Sequence, residues 1–219
     1  MSRAIQGPQL HLQNLVNRFP GVLDAACGLG EIEWGSPLAH DSYREYQDAA
    51  FLARLGLSLA PPNTLAAFLP TEGPRWGALG RLVTGEVVLA EALSSVEELF
   101  TSCPDTDSES VALIHKSLKE TQFVLKAEPG IGWESPFYHY VSRLAHAYLL
   151  HNLNGVPVYL VFVYLLGDPS VKGPATRAEW EAALAVLHEA LGLTARLPGY
   201  VRHAFVDVSG ARSGSYVPR

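Results

Sequence analysis

His139, Arg143 and His146 fall at i, i+4 and i+7 within the run FYHYVSRLAHAYLLHNL, on one stripe of a helix. Such a stripe suits phosphate contact. The competing reading pairs Arg143 with a buried acid and lets the histidines hydrogen-bond internally. As zinc ligands the two histidines make a poor pair, because i, i+7 spans two turns and no cysteine or third histidine is near in sequence. Cys27 and Cys103 lie far apart and outside any CxxC spacing, so they read as free thiols of a reducing cytoplasm. Gly28-Leu29-Gly30 lacks the third glycine and the preceding strand of a dinucleotide site, and no Walker loop or G-x-S-x-G elbow occurs. The aromatic clusters around Tyr138, Tyr140 and Tyr148 and around Tyr159, Phe162 and Tyr164 read as core rather than as stacking platforms for bases.

The elements that must carry these residues follow from periodicity and punctuation. Residues 9 to 29 predict two short helices around Pro20, with Gly28 and Gly30 as stops, forming an N-terminal cap (1–30). Asp41 predicts the cap of a helix on which Tyr43, Tyr46, Ala50 and Ala53 recur. Residues 75–82 and 86–93 flank Val83-Thr84-Gly85 as a β-hairpin. Pairing Leu82 with Glu86 sets Gly77 opposite Glu91 and turns Arg75 toward Leu93, all on one face. An acidic stretch at 94–110 leads into an inserted region (94–135), in which Thr106 and Glu109 predict a capping box for a helix reaching about Ala127. Pro136 and Asn154-Gly155 bracket the buried helix, and residues 158–166, apolar without alternation, predict a central strand. Thr176 and Glu179 cap a further helix ending at Gly192, residues 201–208 predict a last strand, and 209–219 a frayed tail.

The stretches IEWGSPLAHDSYREYQDAAFLARLGL, GPRWGALGR, VVLAEAL, FYHYVSRLAHAYLL, GVPVYLVFVYLLGD and GPATRAEWEAAL resemble an uncharacterised bacterial family of the PD-(D/E)XK nuclease superfamily, over roughly residues 5 to 208. The resemblance implies a single α/β domain (1–208) with a restriction-endonuclease-like core: a central mixed β-sheet flanked by helices. It also implies a hairpin on which an Asp and a Glu-x-Lys hold Mg or Mn and activate water for DNA hydrolysis. Carboxylates sharing one face can hold one hard cation, and a lysine two residues after the glutamate lies on that face.

This chain departs from the family pattern at two of the three positions. Where the family has W-D-A-L-G it has Trp76-Gly77-Ala78-Leu79-Gly80, and where the family has E-A-K it has Glu91-Ala92-Leu93. Gly77 replaces the Asp, Leu93 replaces the Lys, and Glu91 is left as a weak metal ligand. Losing one preorganised charge-stabilising group commonly costs about 10² to 10³ in rate. The expectation is a degenerate homologue that has lost most metal-dependent hydrolysis and keeps a nucleic-acid groove. An active nuclease with a relocated acid and base, or a non-catalytic protein-interaction module, are the alternatives. Glu45, or Asp48 beside it, is the candidate for the missing acid, while Arg75, Lys116 or Lys119 is the candidate for the missing cation. Arg143, His139 and Arg75 are the candidate nucleic-acid contacts, with DNA as the candidate partner.

The 219 residues are 48% hydrophobic and 17% charged, enough to bury a core without disulfide or metal. A net charge of −6 gives no global attraction for phosphate backbones, so a nucleic-acid role needs a local basic groove. No signal pattern and no spanning apolar run occurs, so neither export nor membrane insertion is expected, and the expected location is cytoplasmic.

Overall fold

The computed structural model describes residues 7–70, 73–104, 107–211 and 215–219. Its N-terminal helices α1 (Pro8–Arg18) and α2 (Pro20–Cys27) each begin with proline in the first turn, where a missing N–H costs nothing. Gly28, at φ 64°, closes α2 in the left-handed conformation that glycine adopts without strain. Strand β1 (Ile32–Ser36) follows, then α3 (Asp48–Arg54), the single-turn α4 (Leu65–Phe68), β2 (Ala78–Leu82) and β3 (Val87–Leu93). The second half holds α5 (Ser108–Val124), α6 (Tyr138–Tyr148), β4 (Val158–Leu166), α7 (Arg177–Ala190), β5 (Val201–Asp207) and β6 (Val217–Pro218).

The six strands form one mixed sheet in sequential order. The β1–β2, β2–β3 and β5–β6 pairs are antiparallel, whereas β3–β4 and β4–β5 are parallel and are bridged by helices. The protein is therefore α/β, with helices on both faces of the sheet. On one face Val87, Leu89 and Leu93 pack with Tyr140, Leu144 and Trp180. On the other, Val88, Ala90 and Ala92 pack with Leu12, Leu15 and Leu23 of the N-terminal helices. Strand β4 is buried on both faces, which explains its unbroken apolar run.

Several local expectations need correction. Asp41 does not cap a helix: it closes a 3₁₀ turn, Ser42 and Tyr43 take positive φ, and Tyr46 bridges Trp76, so helix α3 starts only at Asp48. The cap of α5 is Asp107, whose carboxylate accepts from the Ser110 N–H at 2.9 Å; Thr106 lies outside the described residues. Pro136 lies before α6 rather than in its first turn, and α6 ends in a π-turn over Leu149–Leu153. The expected frayed tail instead returns to the sheet. Strand β6 pairs with β5, and Tyr216 is buried against α1, bonding Asn14 Nδ2 at 3.1 Å. Strand β1 was not expected, although Ile32 and Trp34 alternate inward around Glu33. The capping box at Thr176 is present, with Glu179 answering from the third helical position.

Candidate functional site

The hairpin register matches the expected pairing, with Ala78 opposite Ala90 and Leu82 bonded to Glu86. Gly77 sits in a bend just before β2, where its backbone favours the charged form of the Glu91 carboxylate. The bend redirects the missing side chain. A Cβ at Gly77 would lie 2.7 Å from Leu12 Cδ1, a core leucine of α1 that is 1% exposed. Nor does Arg75 face Leu93, as the register argument expected. Its Nε donates to Gln47 Oε1 at 2.8 Å, while Leu93 is buried in the core beside Trp76 and Tyr164. A side chain at position 77 would thus have to push Leu12 of α1 aside, and position 93 belongs to the hydrophobic core.

Glu91 is held by α6. Arg143 donates to its Oε2 from Nη2 at 2.9 Å and from Nε at 3.2 Å. The guanidinium also reaches the Arg75 carbonyl and the Ser142 hydroxyl, each at 3.4 Å, and lies 5.7 Å from the centre of the Trp76 ring. Burial raises the Glu91 pKa, and the Arg143 charge opposes that rise. His139 Nε2 is 3.7 Å from Glu91 Oε1, too long for a hydrogen bond. Burial first, and Arg143 second, hold His139 down at about 3, so this contact is not an ion pair at neutral pH. His146 is likewise held near 4, mainly by burial, and its Nδ1 bonds the Ser142 carbonyl at 2.7 Å. The polar stripe of α6 therefore faces inward, with the arginine paired to a buried acid.

Glu45 lies in the loop before α3, close to Glu91. Burial raises its pKa and the Glu91 charge adds to the rise, while Gln9 Nε2 donates to its Oε2 at 2.9 Å. A pocket of about 230 Å³ brings together Gln9, Leu12, Glu45, Arg75, Gly77, Glu91 and Arg143. It adjoins a larger cleft of about 840 Å³, bounded by Gln9, Gln13, Arg75 and the segment from Asp41 to Gln47. Sequence reasoning found Glu45, Glu91, Arg75, Gly77 and Arg143, which the fold brings together. It missed Gln9, Leu12 and Gln47, which reach the site from elements with no local chemical signature. Asp48 bonds the Gly73 N–H instead of joining the pocket. Lys116 and Lys119 are exposed on α5 and line neither cavity.

This arrangement does not fit a Mg or Mn site of the kind the resemblance implies. Such ions are held by carboxylate oxygens with a cationic charge of their own to be balanced, and here Glu91 Oε2 is taken by two nitrogens of Arg143, whose fixed charge stands beside the remaining Oε1. Across the two cavities Arg44, Arg75 and Arg143 balance Asp41, Glu45 and Glu91. Among the described residues no group of three His, Cys, Asp or Glu side chains could hold a metal ion. No described helix is long and apolar enough to cross a membrane. No family model, curated protein or solved structure matches the chain.

Proposed function

We propose that the chain is a degenerate PD-(D/E)XK homologue that binds nucleic acid without hydrolysing it. The observation that carries this reading is the ion pair between Arg143 and Glu91, which puts a fixed cation against the one carboxylate left from the family trio. A guanidinium stays protonated and cannot serve as a base. It can compensate charge permanently, where a nuclease needs an exchangeable metal ion. The packing of Leu12 against Gly77 supports the same reading, because a second metal-binding carboxylate there would first have to displace the Leu12 methyl.

The binding half of the proposal rests on the outer cleft. Arg44 and Arg75 line it beside Asp41 and Glu45, so the cleft carries no net charge, and phosphate contact would fall to Arg75, whose Nε is fixed by Gln47. The proximity of Glu45 to Glu91 favours a second reading, a nuclease with a relocated acid. One pair of assays separates the two. Incubation with Mg²⁺ or Mn²⁺ and single-stranded, double-stranded and nicked DNA is expected to give no product, whereas anisotropy titrations give salt-dependent, chelator-indifferent binding. Arg75→Ala is expected to reduce the slope of log K against log salt by about 1. Cleavage that disappears in Glu91→Ala would overturn the first half of the proposal, and absence of binding at low salt would overturn the second.

A further inference from the structure

Two side chains of the outer cleft have binding capacity that the protein itself does not use. Tyr43 lines the cleft half-buried, and its ring and hydroxyl have no partner among the described residues. Gln13 of α1 lines the same cleft; it is 5% exposed, and its Oε1 is buried without a hydrogen-bond partner. Buried polar groups in folded proteins are nearly always paired, so an unpaired amide in a cleft wall points to a ligand. We propose, resting on the nucleic-acid reading, that the cleft takes one unpaired nucleotide of a single strand. Its base stacks on Tyr43, the Gln13 amide bonds the base edge, and Arg75 meets the phosphate.

The loop that presents Tyr43 is set in advance. Ser42 and Tyr43 take φ of 54° and 58°, a left-handed backbone that residues other than glycine rarely adopt. Such backbone persists only where its surroundings enforce it, and it clusters at ligand sites. Here the Tyr43 N–H donates to the Leu38 carbonyl at 2.9 Å, and the Arg44 N–H to the Asp41 carbonyl at 3.1 Å. Asn17, one turn beyond Gln13 on α1, donates to the Pro37 carbonyl at 2.7 Å and accepts from the Ala39 N–H at 2.8 Å. The loop is thereby tied to the helix that carries Gln13, and little ordering remains for a ligand to impose.

Charge and size favour a single strand. Arg44 and Arg75 stand against Asp41 and Glu45, so the cleft offers little general attraction for the dense phosphates of a duplex. Stacking supplies affinity without net charge, and it serves every base because each has a π-face. An amide sets an acceptor beside a donor, and base edges carry both. The two acids are already engaged: the Tyr46 hydroxyl donates to Asp41, and Gln9 donates to Glu45 at 2.9 Å. Arg44 lies 5.2 Å from the centre of the Tyr46 ring, which leaves Arg75 for the phosphate and Tyr43 as the open aromatic face. The volume of about 840 Å³ lies within the roughly 300 to 1,000 Å³ of small-molecule sites, room for a nucleotide but not for paired strands.

Anisotropy titrations of the full chain with a labelled single-stranded oligonucleotide, and with its blunt duplex at the same salt concentration, test the proposal. The single strand is expected to bind more tightly. Tyr43→Ala should weaken it about 5- to 150-fold, the span seen when a stacking aromatic is removed, with a smaller effect on the duplex. Tyr43→Phe should restore the affinity. Phe123→Ala is the control, an 84% exposed ring that lines neither cavity of the site, and should change nothing. Should Tyr43→Ala unfold, Tyr43→Trp decides, since a stacked base quenches the added indole and the duplex does not. Equal affinity for the two forms, an unchanged single-strand affinity in Tyr43→Ala, or no quenching in Tyr43→Trp overturns the single-strand site and leaves the nucleic-acid reading standing. No binding of either form overturns both. Displacement of the strand by an equal concentration of adenosine monophosphate would assign the cleft to free nucleotides and overturn the strand.

Discussion

Arg143→Met removes the partner of a carboxylate whose side chain is 13% exposed, while the arginine side chain itself is 9% exposed. At that depth, breaking one side of an ion pair costs about 3 to 5 kcal/mol, because the remaining charge is left uncompensated. With a urea slope near 3 kcal/mol/M for a chain of this size, the unfolding midpoint should fall by about 1 to 1.7 M. The variant should also acquire a distinctive pH dependence. Burial already raises the Glu91 pKa against the opposing Arg143 charge, and removing Arg143 lets it rise further. A folded pKa above the unfolded one contributes stability that is complete below the unfolded value and is lost as pH rises through the folded value. The deficit of Arg143→Met relative to the unaltered protein should therefore be small near pH 4.5 and grow toward neutrality. The double variant Arg143→Met/Glu91→Leu should recover most of the loss, since an apolar replacement of a buried pair is often neutral or stabilising. Equilibrium urea denaturation over this pH range is the assay. A single variant within about 1 kcal/mol of the original at neutral pH, with no pH trend in the difference, would refute the claim that Arg143 is what keeps Glu91 charged and in place.

Three further outcomes can be checked in the same way. Leu12→Ala should lose about 2 to 5 kcal/mol in urea unfolding, as a core leucine truncated beside a glycine that cannot fill the space. Gly77→Asp alone should be destabilising, but less so in a Leu12→Ala background, where the cavity admits the carboxylate. Additive losses in the double variant would show that Leu12 does not govern that position. Stability should decline as pH falls from about 7 toward 4, because His139, His146 and His203 are held below their ordinary value and the unfolded chain takes up protons first; His146→Phe should flatten the lower part of that decline, measured by thermal melts.

What could be read along the chain was what neighbours in sequence decide. The capping box at Thr176, the apolar run of β4 and the turn that pairs Leu82 with Glu86 are local devices, and each appears where its residues put it. The helix expected from Asp41 failed because a distant partner overrode helical spacing: Tyr46 is taken by a bridge to Trp76, 30 positions on. Strand β1 escaped notice because five residues of alternation are too short to stand out beside the glycines that precede them. At the site, the departures from the pattern the chain resembles, at Gly77 and Leu93, were visible in the sequence. What packs against position 77 was not, since Leu12 comes from a remote helix and carries no motif. The two competing readings of Arg143 were both open in sequence, and only its distance to Glu91 separates them.

Tyr216 bonds Asn14 and lies 3.4 Å from His11 Nδ1, a residue 205 positions earlier. Helix α1 is thereby tied to the β6 segment as well as to β3, whose Ala90 and Ala92 share its core cluster. Leu12 rides on the same helix, so the packing beside Gly77 is coupled through α1 to a residue at position 216.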